Sequence, residues 1–237
     1  MEEKGRLDLR PVEFELDCNV HAEGSCLASM GRTMVLCTAT VEQRVPPFLE
    51  GTGQGWVTAE YGMLPRSTHS RQQRERARGG ANSRALEISR LIGRALRIAV
   101  DLESLAGRTV ILDCDVIQAD GGTRCCAING AALALYKALS GLAGQGEIER
   151  NPLKSLVAAV SVGLVDGGLE LDLDCESDSR AGVDLNVVMT GSGELVEIQG
   201  TAESKPFSEE ELNEMLSLAR KGVEKLITMQ KKVLGIE

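Results

Sequence analysis

Hydrophobic and polar residues alternate with a period of two over residues 11–20, 25–30 and 33–42, and each stretch reads as a β-strand. Breaks fall at 22–24 and at Gly31-Arg32, the second joining two apolar and β-branched runs as a hairpin. Pro46 and Pro47 end the third run, 51–55 is a glycine-rich loop, and 56–63 reads as another short strand. The pattern then lapses. Residues 66–82 are rich in Arg, Gln and Gly, have no apolar period, and read as a mobile loop. From 84 to 99 the period becomes helical: Ala85, Ile88, Leu91, Ile92, Ala95, Leu96 and Ala99 share one face, and Arg90, Arg94 and Arg97 take the other. Arg84 sits at the border in the first turn, with Asn82 or Ser83 available as a cap. A strand follows at 109–120, placing Asp113 and Asp115 on one face. Gly121-Gly122 ends it, and an apolar helix runs from about 124 to 141.

Pro152 opens the second half, with strands expected at 155–165, 168–174, 184–190 and 194–201 and turns at 166–168 and 191–193. Ser208 with Glu211 three residues later makes a capping box for a last helix that reaches about 234. Each half therefore places antiparallel strands before a helix, an α+β or hairpin-rich α/β architecture rather than an alternating parallel sheet. The division falls between 1–150 and 151–237. No Pro- or Ser-rich linker separates the halves, so one packed body is expected.

The chain has 237 residues, 43% hydrophobic and 26% charged, which excludes a disordered or collagen-like chain. Its longest apolar run, 156–165, is about half of what a membrane span needs, and no membrane partner is expected. The first residues carry no apolar leader segment, and a cytoplasmic location is the expectation. Seven cysteines, none spaced C-x-x-C, and only two histidines, His21 and His69, do not make a zinc site; the thiols read as small buried hydrophobes.

A net charge of −9 argues against a nucleic-acid partner, but its distribution reverses the inference. Residues 64–97 hold nine arginines, two glutamates and no lysine. A patch of arginine on an acidic body marks a docking place for an anion, and the planar guanidinium suits phosphate. No Walker loop, nucleophile elbow or G-x-G-x-x-G is present. Instead Gln118-Ala119-Asp120-Gly121-Gly122-Thr123-Arg124 turns tightly into a helix. Its N–H groups, hydroxyl and guanidinium would hold a phosphate, or the turn is simply a capped strand-to-helix connection. A third cluster is Glu176-Ser177-Asp178-Ser179 with Asp184 and Asn186, where Asp178 could fold back beside Asp184. Two neighbouring carboxylates suit Mg²⁺ or proton transfer. Asp113 and Asp115 are a rival pair.

The run from Gly53-Gln54-Gly55-Trp56 through Ala59-Glu60-Tyr61-Gly62-Met63-Leu64-Pro65-Arg66-Ser67-Thr68-His69 resembles the signature of the ribonuclease PH family. So do Asp113-Cys114-Asp115-Val116 with 118–124, Asp184-Leu185-Asn186-Val187-Val188-Met189-Thr190, and Glu197-Ile198-Gln199-Gly200-Thr201-Ala202-Glu203. The resemblance spans about 5 to 232 of the chain. It implies an α+β fold like domain 2 of ribosomal protein S5, built of β-α-β units with mixed sheets and packed helices. It implies a phosphorolytic 3′→5′ exoribonuclease that trims tRNA precursors with 3′ extensions. Inorganic phosphate is the attacking co-substrate, nucleoside diphosphates leave, and the reverse reaction adds nucleotides. The usual assembly is a hexameric ring, a trimer of dimers.

Matched position by position, the resemblance assigns Arg84, Gly122, Thr123 and Arg124 to phosphate. Asp178 and Asp184 become the catalytic and Mg²⁺-binding carboxylates, and Arg66, Arg71, Arg74, Arg76 and Arg78 guide RNA. The sequence departs from the family at Ser83 and Ala85 around the first arginine, at Cys125-Cys126, at Ser177 and in a short segment before Pro11. Two other readings remain: an inactive RNA-binding ring subunit, which would be expected to lack Arg84, Arg124 or the aspartates, and a hydrolytic metal-dependent exonuclease.

Overall fold

The computed structural model describes residues 6–74, 83–203 and 206–236. The first half forms a five-stranded sheet of β1 (Val12–Leu16), β2 (Gly24–Met30), β3 (Thr33–Glu42), β4 (Trp56–Met63) and β5 (Thr109–Gln118), in the order β1-β2-β3-β5-β4. All neighbours are antiparallel except β4 and β5, which are joined by α1 (Ser83–Ile98) and run parallel. The second half forms an antiparallel sheet in the order β7-β6-β8-β9, from β6 (Val157–Val165), β7 (Gly168–Leu171), β8 (Ala181–Thr190) and β9 (Leu195–Ala202). The mixed α+β architecture expected from the pattern is the one observed.

Between the sheets lies α2 (Thr123–Gly144), which packs on β2, β3 and β5 and also on β6. Its approach to the first sheet depends on Gly130, where a Cβ would stand 2.8 Å from the Cys37 sulfur and 2.9 Å from the Ala28 methyl. Toward the second sheet the buried Asn129 behaves like a piece of strand. Its amide donates to the Ala159 carbonyl at 2.9 Å, and its carbonyl accepts the Ala159 N–H at 2.9 Å. By length and composition α2 could cross a membrane, but 78% of that apolar window is buried inside the protein, as befits a core helix. The last helix, α4 (Glu209–Leu234), covers β6 and β8. Its capping box forms as its sequence dictates: Ser208 N–H donates to Glu211 Oε2 at 2.8 Å and Glu211 N–H to Ser208 Oγ at 3.2 Å.

Three elements differ from the sequence pattern, each for a local reason. The first strand stops at Leu16 because Asp17 takes a positive φ of 56° and the Asn19 side chain gathers the N–H groups of His21 and Ala22 into a turn. Strand β7 stops at Leu171 because Asp172 turns inward, also at φ 56°. Residues 175–180, a polar loop by pattern, form the short helix α3 (Cys175–Arg180), whose N-cap Asp174 accepts the Ser177 N–H at 2.8 Å.

The inward turn of Asp172 joins the halves. Its carboxylate is fully buried and takes three hydrogen bonds from Arg10: from the backbone N–H at 3.1 Å, from Nε at 3.0 Å and from Nη2 at 2.7 Å. Arg10 Nη1 also donates to the Asp120 carbonyl at 2.7 Å. Arg6 fastens the same segment, donating to the Asp172 carbonyl at 2.6 Å and to Asp174 at 3.1 Å. Asp172→Ala would leave a guanidinium buried without its counter-charge. The expected loss is about 3–5 kcal/mol in urea unfolding, part of which the double variant Arg10→Met/Asp172→Leu recovers.

Candidate active site

The turn before α2 is held on three sides. Thr33 Oγ1 donates to the Gly121 carbonyl at 2.6 Å and accepts the Asp120 N–H at 2.8 Å, Arg32 pairs with the Asp120 carboxylate at 3.1 Å, and Arg10 holds the Asp120 carbonyl. Gly121 and Gly122 both have positive φ, 79° and 65°. At Gly121 a Cβ would also strike the backbone of 173–174, 2.6 Å from the Leu173 carbonyl oxygen. Two glycines are therefore required here for backbone angle and for close approach to the second half. Gly122 caps α2 without a side chain, so the helix's first N–H groups stay free of a side-chain cap, at the end where its dipole is positive.

Thr123 and Arg124 follow at the first two helical positions. The Thr123 hydroxyl accepts the Tyr61 hydroxyl at 2.9 Å. Arg124 donates to Gln199 of β9 at 2.7 Å and lies 3.6 Å from Glu87 of α1. Gln199 in turn donates to Glu197 at 3.2 Å, and Glu197 takes a bidentate pair from Arg94 at 2.6 and 3.1 Å. This network sets Arg124 between α1 and the second sheet. Arg84 lies exposed in the first turn of α1. Burial raises the Tyr61 phenol, while the Thr123 bond and the charges of Arg84 and Arg124 act to lower it. Both cations therefore lie within electrostatic reach of the threonine's partner.

From the second half, α3 presents Asp178 at the surface and β8 presents Asp184 half-buried. Asp184 is raised above the usual aspartate range, first by burial and then by Asp178 and Glu203, against the opposing charge of Arg124. Asn186 donates weakly to Asp184 at 3.5 Å. The structure thus brings Asp178, Asp184 and Arg124 into one field. Of the two carboxylate pairs, Asp113 and Asp115 sit elsewhere, on the face of the first sheet away from the helices. There Asp113 stands opposite Glu60 in register, and it is raised by burial, Glu60 and Asp115.

Among the described residues no group of three or more His, Cys, Asp and Glu is placed to hold a metal. A divalent cation at this site would rest on Asp178 and Asp184 with water completing its shell, a donor set that suits Mg²⁺. The charge repulsion that raises Asp184 is what such an ion would relieve.

Arg66, Arg71 and Arg74 are exposed, and Arg76 and Arg78 lie outside the described residues, as does Asn82. The described start of this arginine segment is anchored rather than free: Ser67 is buried and its carbonyl accepts the Ala119 N–H at 2.8 Å. Arg94 and Arg97 have structural partners, Arg97 donating to the Val57 carbonyl at 2.8 Å and lying 4.3 Å over the Trp56 ring. The sequence pattern did not single out Tyr61, Gln199 or Glu87. Gln199 had a signal, since it alternates with Glu197 along a strand; Tyr61 looked like any buried aromatic. Cys125 and Cys126, which depart from the family pattern, are buried thiols, and burial pushes Cys125 up to about 12, so they supply no nucleophile.

Residues 8–139 match the model of the 3′ exoribonuclease family, domain 1, and residues 155–222 that of its domain 2. Ribonuclease PH of Moorella thermoacetica is 58% identical over 232 residues, covering 98% of this chain and 93% of its own. Among solved structures, the Archaeoglobus fulgidus exosome with RNA bound to its active site superposes with a TM-score of 0.80 at 21% identity, over 95% of this chain and 90% of its own. An archaeal exosome core does so at 0.77 and 21%, over 96% and 89%. These structures share the fold.

The raised Asp184 makes a prediction about stability. A carboxyl harder to ionise in the folded state destabilises the fold once pH exceeds its unfolded value, and the loss grows as pH rises through the folded value. Asp184→Asn removes that cost. The variant is expected to melt above the parent at neutral pH, with the difference shrinking as pH falls toward the ordinary aspartate range, as calorimetry across pH would record.

Proposed function

Since the chain belongs to the 3′ exoribonuclease family, we propose that it is a phosphorolytic 3′→5′ exoribonuclease, removing terminal nucleotides from tRNA precursors with inorganic phosphate. The observation that carries this reading is the convergence at the head of α2. A helix N-terminus, the Thr123 hydroxyl and Arg124 lie beside Asp184, with Arg84 near enough to be felt by the tyrosine bonded to Thr123. A hydrolase needs a base or a metal hydroxide to make water nucleophilic. A phosphate dianion arrives nucleophilic and needs cationic donors to hold it in line.

Gly122, Thr123, Arg124 and Arg84 hold the phosphate, neutralising it and aiming one oxygen at the terminal phosphorus. A bond forms between that oxygen and phosphorus, and the bond from phosphorus to the 3′-oxygen of the preceding nucleotide breaks. The last nucleotide leaves as a nucleoside 5′-diphosphate, and the shortened RNA keeps a 3′-oxygen that must take up a proton. Asp184 and Asp178 either deliver that proton or hold Mg²⁺, and burial together with Asp178 raises Asp184 toward the first role. Mg²⁺ on these two carboxylates would supply charge stabilisation for the departing oxygen. Bonds broken and made are of similar kind, so excess nucleoside diphosphate extends the RNA.

Arg66, Arg71, Arg74, Arg76 and Arg78 guide the RNA backbone, and with aromatics at 3% of the chain the grip is electrostatic and indifferent to base sequence. A hexameric ring, a trimer of dimers, fits this role: basic loops from several subunits hold the tRNA body while one site trims. The solved relatives named for the exosome and its core support assembly.

The deciding experiment is product analysis on a tRNA with a 3′ extension. Trimming is expected to wait for phosphate and to release diphosphates; trimming in phosphate-free buffer, or monophosphate products, would establish hydrolysis instead. Arg84→Ala, exposed and away from the core, is expected to keep the fold. It should weaken phosphate binding by about 1.5–3 kcal/mol, read as a shifted phosphate titration of the trimming rate. Light scattering is expected to give a ring mass, and a monomer mass of 25.3 kDa across micromolar concentrations would exclude it.

A further inference from the structure

We propose that Tyr61 is a positioning residue of the phosphate site: it turns the Thr123 hydroxyl into a dedicated donor to the anion and braces together the two helices that carry Arg84 and Arg124. The proposal rests on the phosphorolytic reading.

The chain has two tyrosines, and Tyr61 is 6% exposed. Its hydroxyl donates at 2.9 Å to Thr123 Oγ1, itself buried. A threonine hydroxyl accepts twice but donates once. With Tyr61 occupying an acceptor lobe, the Thr123 hydrogen is left to another partner. At the first helical position no carbonyl four residues back belongs to the helix and could take it, as happens to threonines further along. Among the described residues that hydrogen meets no acceptor. A phosphate oxygen over the head of α2 is the acceptor the geometry leaves open. The phenol is kept protonated by its burial, so it remains a donor at neutral pH.

The backbone of the same residue makes the second contact. Strand β4 is the outer strand of its sheet, and α1 lies along it. The Tyr61 N–H, which faces no neighbouring strand, donates to Ser89 Oγ of α1 at 2.9 Å. Ser89 follows Arg84 by five residues in the same helix. One residue of β4 therefore fixes α1 through its backbone and α2 through its side chain, and the two arginines hang from those helices.

Tyr61→Phe keeps the ring and the backbone bond and removes the donor. The phosphate KM of trimming and the nucleoside diphosphate KM of the reverse reaction are expected to rise together, about three- to tenfold, the effect of one neutral hydrogen bond. The RNA KM and kcat should move less than about twofold, since that bond acts on the anion alone. In a double-mutant cycle Tyr61→Phe should add nothing once Thr123 is Val, while Thr123→Ser retains the sensitivity to Tyr61→Phe. An unchanged phosphate KM overturns the proposal. So do additive losses in the cycle, or equal shifts in phosphate KM, RNA KM and kcat with a lowered melting temperature. Calorimetric titration of phosphate into parent and Tyr61→Phe separates this from the broader reading. A parent that binds phosphate but trims without it refutes phosphorolysis while the binding difference still tests the relay. A phosphate-dependent parent with no binding difference refutes only the relay.

Discussion

Arg10 and Asp172 stand 162 residues apart in sequence and meet in a site where the carboxylate has no exposure at all. Placing two charges there costs several kcal/mol per ion unless each is fully partnered, and each is. Asp172 accepts three times from Arg10, and the remaining guanidinium nitrogen reaches the Asp120 carbonyl. Even the hairpin between β2 and β3 conforms, since a Cβ on Gly31 would come within 2.7 Å of the Arg10 side chain. Because the turn at 120–122 leans on this pair, and α3 and β8 follow directly from residues 171–174, the N-terminal end of α2 and the carboxylates Asp178 and Asp184 are referred to one common point. Their separation is set by the pair rather than by the loops that carry them.

That arrangement explains why the candidate site tolerates internal conflict. Asp178 and Asp184 repel one another, and Gly121 and Gly122 are held at backbone angles other residues avoid. Around them, Asp174 is fully committed: burial would raise it, but hydrogen bonds from Ser177 and Arg6 bring it down to about 2, ionised and fixed as the cap of α3. Rigid, satisfied ion pairs surround a small set of mutually opposed charges, which under the proposed function an anion, and a cation on the carboxylates, would balance. This is preorganisation for charge.

The alternation of residues 25–42 and the helical face of 85–99 were legible because each element buries one side against one layer, and the capping box at Ser208 is written in two residues. The turn at 121–122 was legible from its two glycines, and the start of α2 from the Thr and Arg that follow them. What the pattern could not show was dependence across the halves. Asp172 reads as a strand residue until Arg10 is known to lie beside it. Helix α3 is too short for any apolar period, and its sign was only Asp174 ahead of an acidic first turn. The arginine-rich stretch misled in part, since charge counting cannot distinguish Arg94 and Arg97, tied to Glu197 and Trp56, from arginines free to meet a ligand. Which carboxylate pair lies near Arg124 was equally beyond the sequence pattern, because it depends on which sheet face meets α2.

The strap from Arg6 to Arg10 is synthesised well before its docking ground at 171–174. Until that ground is synthesised, the guanidinium of Arg10 has no carboxylate and the turn ahead of α2 has no backbone to rest against. A nascent chain holding the complete first sheet therefore has the turn held by Thr33 and Arg32 alone, without the support it draws from Asp172 through Arg10. The order of synthesis makes the 120–122 turn one of the last parts of the first half to be fastened, after the strand and helix that flank it are complete.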